Sequence, residues 1–167
     1  MNPAAPSPDR PLAGRVALVT GSTDGIGLAT ARELARQGCH VMLNGLGEPE
    51  RIAGLRQEIA EAFGAEVAHA AADLFDAGQA GALVPEVLGR FGHLDILVNN
   101  AGTQHRGPIE SHPTDRWRQV FALNVDAAFH TIRTALPAMR ERGWGRIVNV
   151  ASVYGLVGGT DRSSYVA

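Results

Sequence analysis

Short apolar runs alternate along this chain with longer segments in which apolar residues recur every three or four positions. The short runs have no polar face, which is typical of strands buried on both sides of a parallel sheet. The longer segments have the spacing of amphipathic helices. The pattern therefore predicts five strands separated by helices, with the strands over 16–20, 39–43, 66–71, 94–98 and 146–151.

Four helices are predicted to connect these strands. The first begins near Gly25, and its inward face should carry Ile26, Thr30 and Leu34 because these residues recur every four positions. The other three helices are expected over 49–63, 77–90 and 114–139.

Two residues need an explanation within the later helices. Pro85 should kink the third helix, because proline removes a backbone hydrogen bond. Asn124 lies among the apolar positions of the fourth helix, where a polar amide must be hydrogen-bonded. Asn124 therefore either fastens this helix to the sheet or serves an active site, and the pattern favours neither.

Strands that alternate with helices at these intervals indicate an α/β fold with a doubly wound parallel sheet. Ligands of such sheets bind beyond the carboxyl ends of the strands. Glycine-rich or polar residues follow every predicted strand, and we expect them to converge at that edge: Gly21 to Gly27, Asn44, Asp73, Asn99 to Gly102, and Ser152.

Gly21, Gly25 and Gly27 lie between the first strand and the first helix. Glycines in this place let the backbone turn sharply and approach a ligand closely. The N-terminus of the helix that follows attracts a pyrophosphate. The spacing Gly-x-x-x-Gly-x-Gly differs from the usual dinucleotide fingerprint, so a tight turn without a ligand is the alternative interpretation.

Composition narrows the class of protein. The 167 residues suffice for one domain, expected over 12–167, after a disordered proline-rich tail at 1–11 that matches neither a secretory signal nor a transmembrane segment. A net charge of −2 gives no electrostatic reason to bind nucleic acid or an anionic membrane. The single cysteine, Cys39, lies in an apolar run, which indicates a buried thiol and a cytoplasmic location. We assign no metal site.

The ordered motifs resemble those of the short-chain dehydrogenase/reductase family: Thr20-Gly-x-x-x-Gly-Ile-Gly27, Asn99-Asn-Ala-Gly102, Asn124, Ser152 and Tyr165. The resemblance implies a Rossmann fold that binds a nicotinamide cofactor, with Asn124 in the catalytic set. In that set Ser152 bonds the substrate oxygen and Tyr165 moves the proton. The implied cofactor contacts are Gly21, Thr23, Gly25, Ile26 and Gly27 at the pyrophosphate, Asp73 and Leu74 at the adenine, and Asn100, Ala101 and Gly102 beside the nicotinamide.

Further segments resemble the D-3-hydroxybutyrate dehydrogenases of that family, among them Asn100-Ala-Gly-x-Gln-His105 and Arg142-Gly-Trp-Gly-Arg146. This likeness implies that Gln104, Tyr154 and Arg162 hold a substrate carboxylate, with Tyr154 and Arg162 replacing a histidine and a lysine. Arginine can bind a carboxylate with two parallel hydrogen bonds. The implied reaction interconverts a short 3-hydroxy acid, 3-hydroxybutyrate, and acetoacetate. Without the resemblance, Gln104 and Arg162 would be ordinary loop residues.

NAD is the expected cofactor. The 2′-phosphate of NADP requires an arginine or lysine just after the second strand, and residues 44–47 contain neither. Asn44 stands where NAD enzymes usually have an acidic residue that contacts the ribose. An NADPH-dependent 3-oxoacyl reductase, which shares the chemistry of Ser152 and Tyr165, is an alternative.

The family places a lysine four residues after the catalytic tyrosine, where its positive charge lowers the tyrosine pKa. The sequence ends two residues too early for that lysine, at Ala167. We therefore expect this chain alone to be an inactive, C-terminally incomplete form of its parent. A non-catalytic dinucleotide-binding or oligomerisation fragment is a second hypothesis. In the family the helix that contains Asn124 packs against another subunit, so we expect the full-length parent to be a homo-oligomer.

Overall fold

A parallel five-stranded sheet forms the centre of the molecule. The computed structural model describes residues 10–167. The strands follow the order β3-β2-β1-β4-β5 across the sheet, and all neighbours are parallel. Their bounds lie within two residues of the predicted ones, and the predicted doubly wound fold is confirmed: β1 (Val16–Val19), β2 (His40–Asn44), β3 (Val67–Ala70), β4 (Ile96–Asn99) and β5 (Arg146–Asn149).

Helices cover both faces of the sheet. One apolar core contains α1 (Gly25–Arg36) and α2 (Pro49–Phe63), and the other contains α3 (Ala77–Phe91) and α5 (Ala127–Glu141). α4 (Thr114–Phe121) runs into α5 through a π-helical turn (Ala122–Asp126), so the helix predicted over 114–139 is one continuous element. The short elements are a 3₁₀ turn (Ile109–Ser111), α6 (Tyr154–Val157) and α7 (Ser163–Val166).

The buried face of α1 differs from the sequence prediction. Ile26 is 70% exposed, whereas Thr30 and Leu34 are half-buried. A Cβ on Gly27 would stand 2.3 Å from the carbonyl oxygen of Gly21, so the helix lies too close to the loop for bulky side chains. The predicted face was wrong by one position, because close approach selects the small residues as the buried ones: Gly27, Ala31 and Ala35.

A buried carboxylate joins the amino ends of β1 and β4. Asp95 is fully buried and accepts hydrogen bonds from the Val16 N–H (2.9 Å) and from the guanidinium of Arg15 (3.0 Å). The Nε2 atom of His93 lies 3.2 Å from the same carboxylate. This group joins the strands at their amino ends, and ligands of such folds bind at the opposite, carboxyl ends.

The remaining expectations concern Pro85, the cysteine and the tail. Pro85 is exposed, and α3 continues through it as one helix of 15 residues. Cys39 is buried, and this burial raises the pKa of its thiol to about 12. Arg10, placed in the predicted tail, donates a hydrogen bond to the Phe63 carbonyl (3.0 Å), while the rest of that tail, at 1–9, lies outside the described residues. Within residues 10–167, none of the helices combines the length and the apolar character needed to cross a bilayer.

Candidate active site

A cavity of about 520 Å³ opens at the carboxyl ends of the strands. It is lined by segments that follow four of the five strands, which the parallel topology brings to one edge of the sheet. The candidate residues that line it are Ile26, Leu74, Asn100, Ala101, Gly102, Gln104, Asn124, Ser152 and Tyr165.

The glycine loop between β1 and α1 leaves room for a ligand. Gly21 and Gly25 have φ angles of +60° and +53°, in the left-handed region that favours glycine. A Cβ on Gly25 would meet no atom within 4 Å, so the backbone is open at the start of α1. Open backbone at a helix N-terminus fits the pyrophosphate of a dinucleotide. The carboxylate of Asp24 caps the same helix by accepting from the Gly25 N–H (2.7 Å), which places a negative charge beside this site.

Asn100 and Thr20 connect the glycine loop to the loop after β4. The Asn100 side chain donates to the carbonyl oxygens of Thr20 (2.9 Å) and Gly21 (3.1 Å). The Thr20 hydroxyl oxygen accepts from the backbone N–H groups of Asn100 (2.9 Å) and Ala101 (3.0 Å). The side chain of Asn100 therefore shapes the proposed cofactor site, and its backbone lines the cavity beside Ala101.

Asn44 has its polar atoms occupied inside the protein. It is buried, its Oδ1 accepts from the Gly21 N–H (3.3 Å), and its Nδ2 donates to the carbonyls of Ala70 (3.1 Å) and Ala72 (3.0 Å). The structure thus makes Asn44 a support for the glycine loop, and its side chain does not extend towards a ribose. The reason is that the strand β3 beside it presents carbonyl oxygens that the amide satisfies.

Asp73 and Leu74 follow β3 and differ in their surroundings. Leu74 is 5% exposed and lines the cavity, as expected for a residue beside an adenine. The carboxylate of Asp73 accepts a hydrogen bond from the Phe75 N–H (3.0 Å) and so closes a local turn. The family resemblance implies an adenine contact for both residues, whereas the structure brings only Leu74 to the cavity wall.

Asn124 lies in the π-helical turn and holds the loop after β4. Its Oδ1 accepts from the Thr103 N–H (2.8 Å), and its Nδ2 donates to the Thr103 carbonyl (2.9 Å). Both bonds go to the backbone of Thr103, and Asn124 itself lines the cavity. The amide therefore fastens the helix to the loop after β4 rather than to the sheet, and an active-site role for Asn124 stays a prediction.

Ser152 and Tyr165 both line the cavity and are both half-buried. The Ser152 hydroxyl oxygen accepts from the Tyr154 N–H (3.3 Å). The ring of Tyr154 packs edge-on against that of Tyr165, with 6.4 Å between the centroids. A hydroxyl and a phenol are thus available at one cavity for a substrate oxygen.

The three residues expected to hold a carboxylate lie together. Arg162 donates to the Gln104 Oε1 (2.6 Å), and its guanidinium lies over the ring of Tyr154, 4.5 Å from the centroid. Gln104 lines the cavity, while Tyr154 and Arg162 line an adjoining one of about 450 Å³. The arrangement presents a cation and an amide at the edge of the site.

Arg51 is a residue near the cofactor site that the sequence argument missed. It lies in the first turn of α2 and donates a hydrogen bond to the Thr23 carbonyl of the glycine loop (3.0 Å). Residues 44–47, directly after β2, contain no arginine or lysine, and Arg51 lies four positions beyond them. The signal that could have found Arg51 is its place in the first turn of the helix after β2, which packs beside α1.

Comparison with known proteins gives the class to which this fold and site belong. The family model described as short chain dehydrogenase matches residues 15–167. The chain belongs to the short-chain dehydrogenase family.

Two curated relatives share a description. The chain is 45% identical to the D-beta-hydroxybutyrate dehydrogenase of Rhizobium meliloti (strain 1021) over 92% of this chain and 59% of that protein. It is 46% identical to the D-beta-hydroxybutyrate dehydrogenase of Cupriavidus necator over 93% of this chain and 60% of that protein. The chain therefore spans about 60% of the length of the curated relatives it matches.

Solved structures include similar proteins with either cofactor. An NAD⁺-bound xylitol dehydrogenase superposes with a TM-score of 0.85 and 33% identity, covering 93% of this chain and 59% of that one. A 3-oxoacyl (acyl-carrier-protein) reductase from Agrobacterium tumefaciens C58 with NADP bound gives a TM-score of 0.85 and 35% identity over the same shares. Both likenesses extend over 93% of this chain.

Proposed function

We propose that this chain forms the cofactor-binding and substrate-binding part of an NAD-dependent dehydrogenase for a short 3-hydroxy acid, with 3-hydroxybutyrate and acetoacetate as the pair. The observation that carries this proposal is the contact of Arg162 with Gln104 beside the cavity of Ser152 and Tyr165. Among residues 10–167, Arg162 forms no ion pair. Its charge is therefore available to a substrate carboxylate. The two D-beta-hydroxybutyrate dehydrogenase relatives support the substrate class.

In the proposed reaction the protein binds the hydroxy acid and manages one proton. NAD, when bound, supplies the acceptor for the hydride that leaves the substrate carbon. Ser152 donates a hydrogen bond to the substrate oxygen, and Tyr165 accepts the hydroxyl proton as the carbonyl forms. Asn124 keeps the loop after β4 in place through Thr103, so that Asn100 to Gly102 line the nicotinamide side.

Substrate binding tests the role of Arg162. Calorimetric titration of 3-hydroxybutyrate into the NAD-loaded chain should show an affinity that falls about tenfold or more in Arg162→Met, because one charge-assisted pair is lost. Arg116→Met, at an exposed arginine of α4, is the matched control and should leave the affinity unchanged. Equal affinities in the two variants would argue against the carboxylate site.

A 3-oxoacyl reductase that uses NADPH is the second candidate. The NADP-bound reductase of similar fold and the guanidinium of Arg51 at the glycine loop favour it. Calorimetric comparison of NAD with NADP on the same chain separates the two. Tighter binding of NAD supports the hydroxy-acid dehydrogenase, and tighter binding of NADP supports the reductase.

A non-catalytic role in dinucleotide binding or assembly has its own support. Val125 and Phe129, on the long helix, are 52% and 56% exposed, which suits packing against a second copy of the protein in a homo-oligomer. Binding of NAD without formation of NADH from 3-hydroxybutyrate favours this role, and NADH formation favours the enzyme. We place the protein in the cytoplasm, where a lone buried thiol such as that of Cys39 stays reduced.

A further inference from the structure

Side-chain and backbone contacts join the loop after β4 to the segment that carries Tyr165. One of them, between a histidine and a serine next to this tyrosine, has no part in the proposed chemistry. The three contacts are Arg162 with Gln104 (2.6 Å), the Gly107 N–H with the Asp161 carbonyl (3.0 Å), and His112 with Ser164 (2.9 Å).

The two ring nitrogens of His112 have different partners. Nδ1 lies 3.1 Å from the carbonyl oxygen of Pro113, which can only accept, so Nδ1 carries the proton of the neutral ring. Nε2 then accepts from the hydroxyl of Ser164 at 2.9 Å. Ser164 is 4% exposed, so little water competes for this hydroxyl. The contact is a partly buried hydrogen bond that the Ser164 hydroxyl donates to the neutral ring.

Aromatic neighbours hold the imidazole in this orientation. The ring of His105 packs edge-on against His112 with centroids 4.8 Å apart, and Trp117 does so at 5.9 Å. Trp117 in turn stacks on Phe121 at 5.0 Å, which ties the group to α4. The acceptor for Ser164 is therefore fixed by packing.

We propose that His112 is a positioning residue for Tyr165: through the Ser164 hydroxyl, it holds α7 against the loop after β4 and keeps the tyrosine ring at the cavity. The inference rests on the proposed function in that Tyr165 is the proposed proton-transfer residue. Arg162 directly precedes α7 and bonds Gln104 of the same loop. The loop after β4 therefore positions both the proposed carboxylate site and Tyr165.

Chemical nitration of Tyr165 tests the contact in the chain as it exists. The chain has two tyrosines, so Tyr154→Phe leaves Tyr165 as the single target for tetranitromethane. In that background, His112→Phe keeps the aromatic packing but removes the acceptor. We expect nitration of Tyr165 to be about fivefold faster, because loss of one hydrogen bond raises the population of the open state by about that factor. His112→Gln, which offers an oxygen near the position of Nε2, should restore the slow rate.

The controls separate positioning from general loosening. Ser164→Ala should speed nitration as much as His112→Phe does, and the double variant should be no faster than either single one. His130→Phe, at a half-buried histidine of α5, should leave the rate unchanged. If His112→Phe does not fold, judged by circular dichroism, the smaller Ser164→Ala change decides.

The proposal is overturned if Ser164→Ala nitrates at the parental rate, if His112→Phe behaves as His130→Phe does, or if the two effects multiply. A chain that fails to bind NAD would contradict the proposed function. That outcome would leave the nitration result standing, so the two failures are distinguishable.

Discussion

At Gly27 the proposed cofactor site has no space for a side chain. A Cβ there would lie 2.3 Å from the Gly21 carbonyl oxygen and 2.5 Å from the Nδ2 of Asn100. Gly27→Ala should therefore lower the free energy of unfolding by about 2 kcal/mol and weaken NAD binding about tenfold or more. Gly54 is at an exposed position of α2, and a new Cβ there would meet no atom within 4 Å. Gly54→Ala should instead raise the free energy of unfolding by about 0.5 to 1 kcal/mol. Urea unfolding and calorimetry measure both, and similar results for the two variants would refute this account of the loop.

Arg51 should decide how well the site tolerates the 2′-phosphate of NADP. Its guanidinium already bonds the Thr23 carbonyl, so a phosphate on the adjacent ribose would meet a positive charge. Arg51→Ala should lower the affinity for NADP about tenfold while changing that for NAD less than about twofold. Arg56→Ala is the control, because Arg56 lies on the same helix but bonds the Val67 carbonyl. Loss of NAD and NADP binding in equal measure would contradict this role.

The placement of single residues was predicted well where the topology of the sheet decides it. Ser152 follows a strand, and the parallel sheet alone brings it to the cavity. The partners of Asn44 could not be predicted, because they are carbonyl groups of residues 26 and 28 positions away that only the folded sheet brings close. Arg51 was not predicted, because it lies in the first turn of α2 and not in the loop directly after β2.

The buried carboxylate group at the amino ends of β1 and β4 should dominate the stability of the sheet. Asp95→Asn removes a fully buried charge that faces Arg15 and His93, and should cost about 3 kcal/mol in urea unfolding. Because the group lies at the edge opposite the cavity, the folded variant should bind NAD with unchanged affinity. Asp115→Asn, at an exposed pair with Arg118 (3.6 Å), should change stability by less than about 0.5 kcal/mol. A small effect at Asp95 would show that the pair is not needed for the fold.

Among the elements, the recurrence of large apolar residues every three or four positions predicted where the helices lie. It did not predict which face of α1 is buried. On α1 the small residues beside Ile26 face the sheet, since the glycine loop leaves no room for larger ones. The π-helical turn that presents Asn124 was also beyond prediction, because the apolar spacing on either side of it stays helical. In the sequence, Asn124 is distinguished only as a polar residue among the apolar positions of the helix.

For the whole molecule, the doubly wound parallel sheet was predicted from the sequence, as was the end of the sheet at which the cavity opens, but the order of the strands was not. Five short apolar strands separated by helices allow few arrangements when crossovers are right-handed, and one of these is the observed sheet. Val148 in the edge strand β5 and Val150 just after it are exposed, at 49% and 44%, which periodicity cannot reveal because it does not report what covers a strand. The choice between NAD and NADP likewise depends on contacts made across the fold.

Titration of NAD into the 167-residue chain by calorimetry is the most direct test that the glycine loop and the cavity beside it form a dinucleotide site. We expect saturable binding at a single site, with an affinity that Gly54→Ala retains and that Gly27→Ala lowers about tenfold or more. A chain that is folded by circular dichroism, yet shows no binding up to about 1 mM NAD, would contradict it.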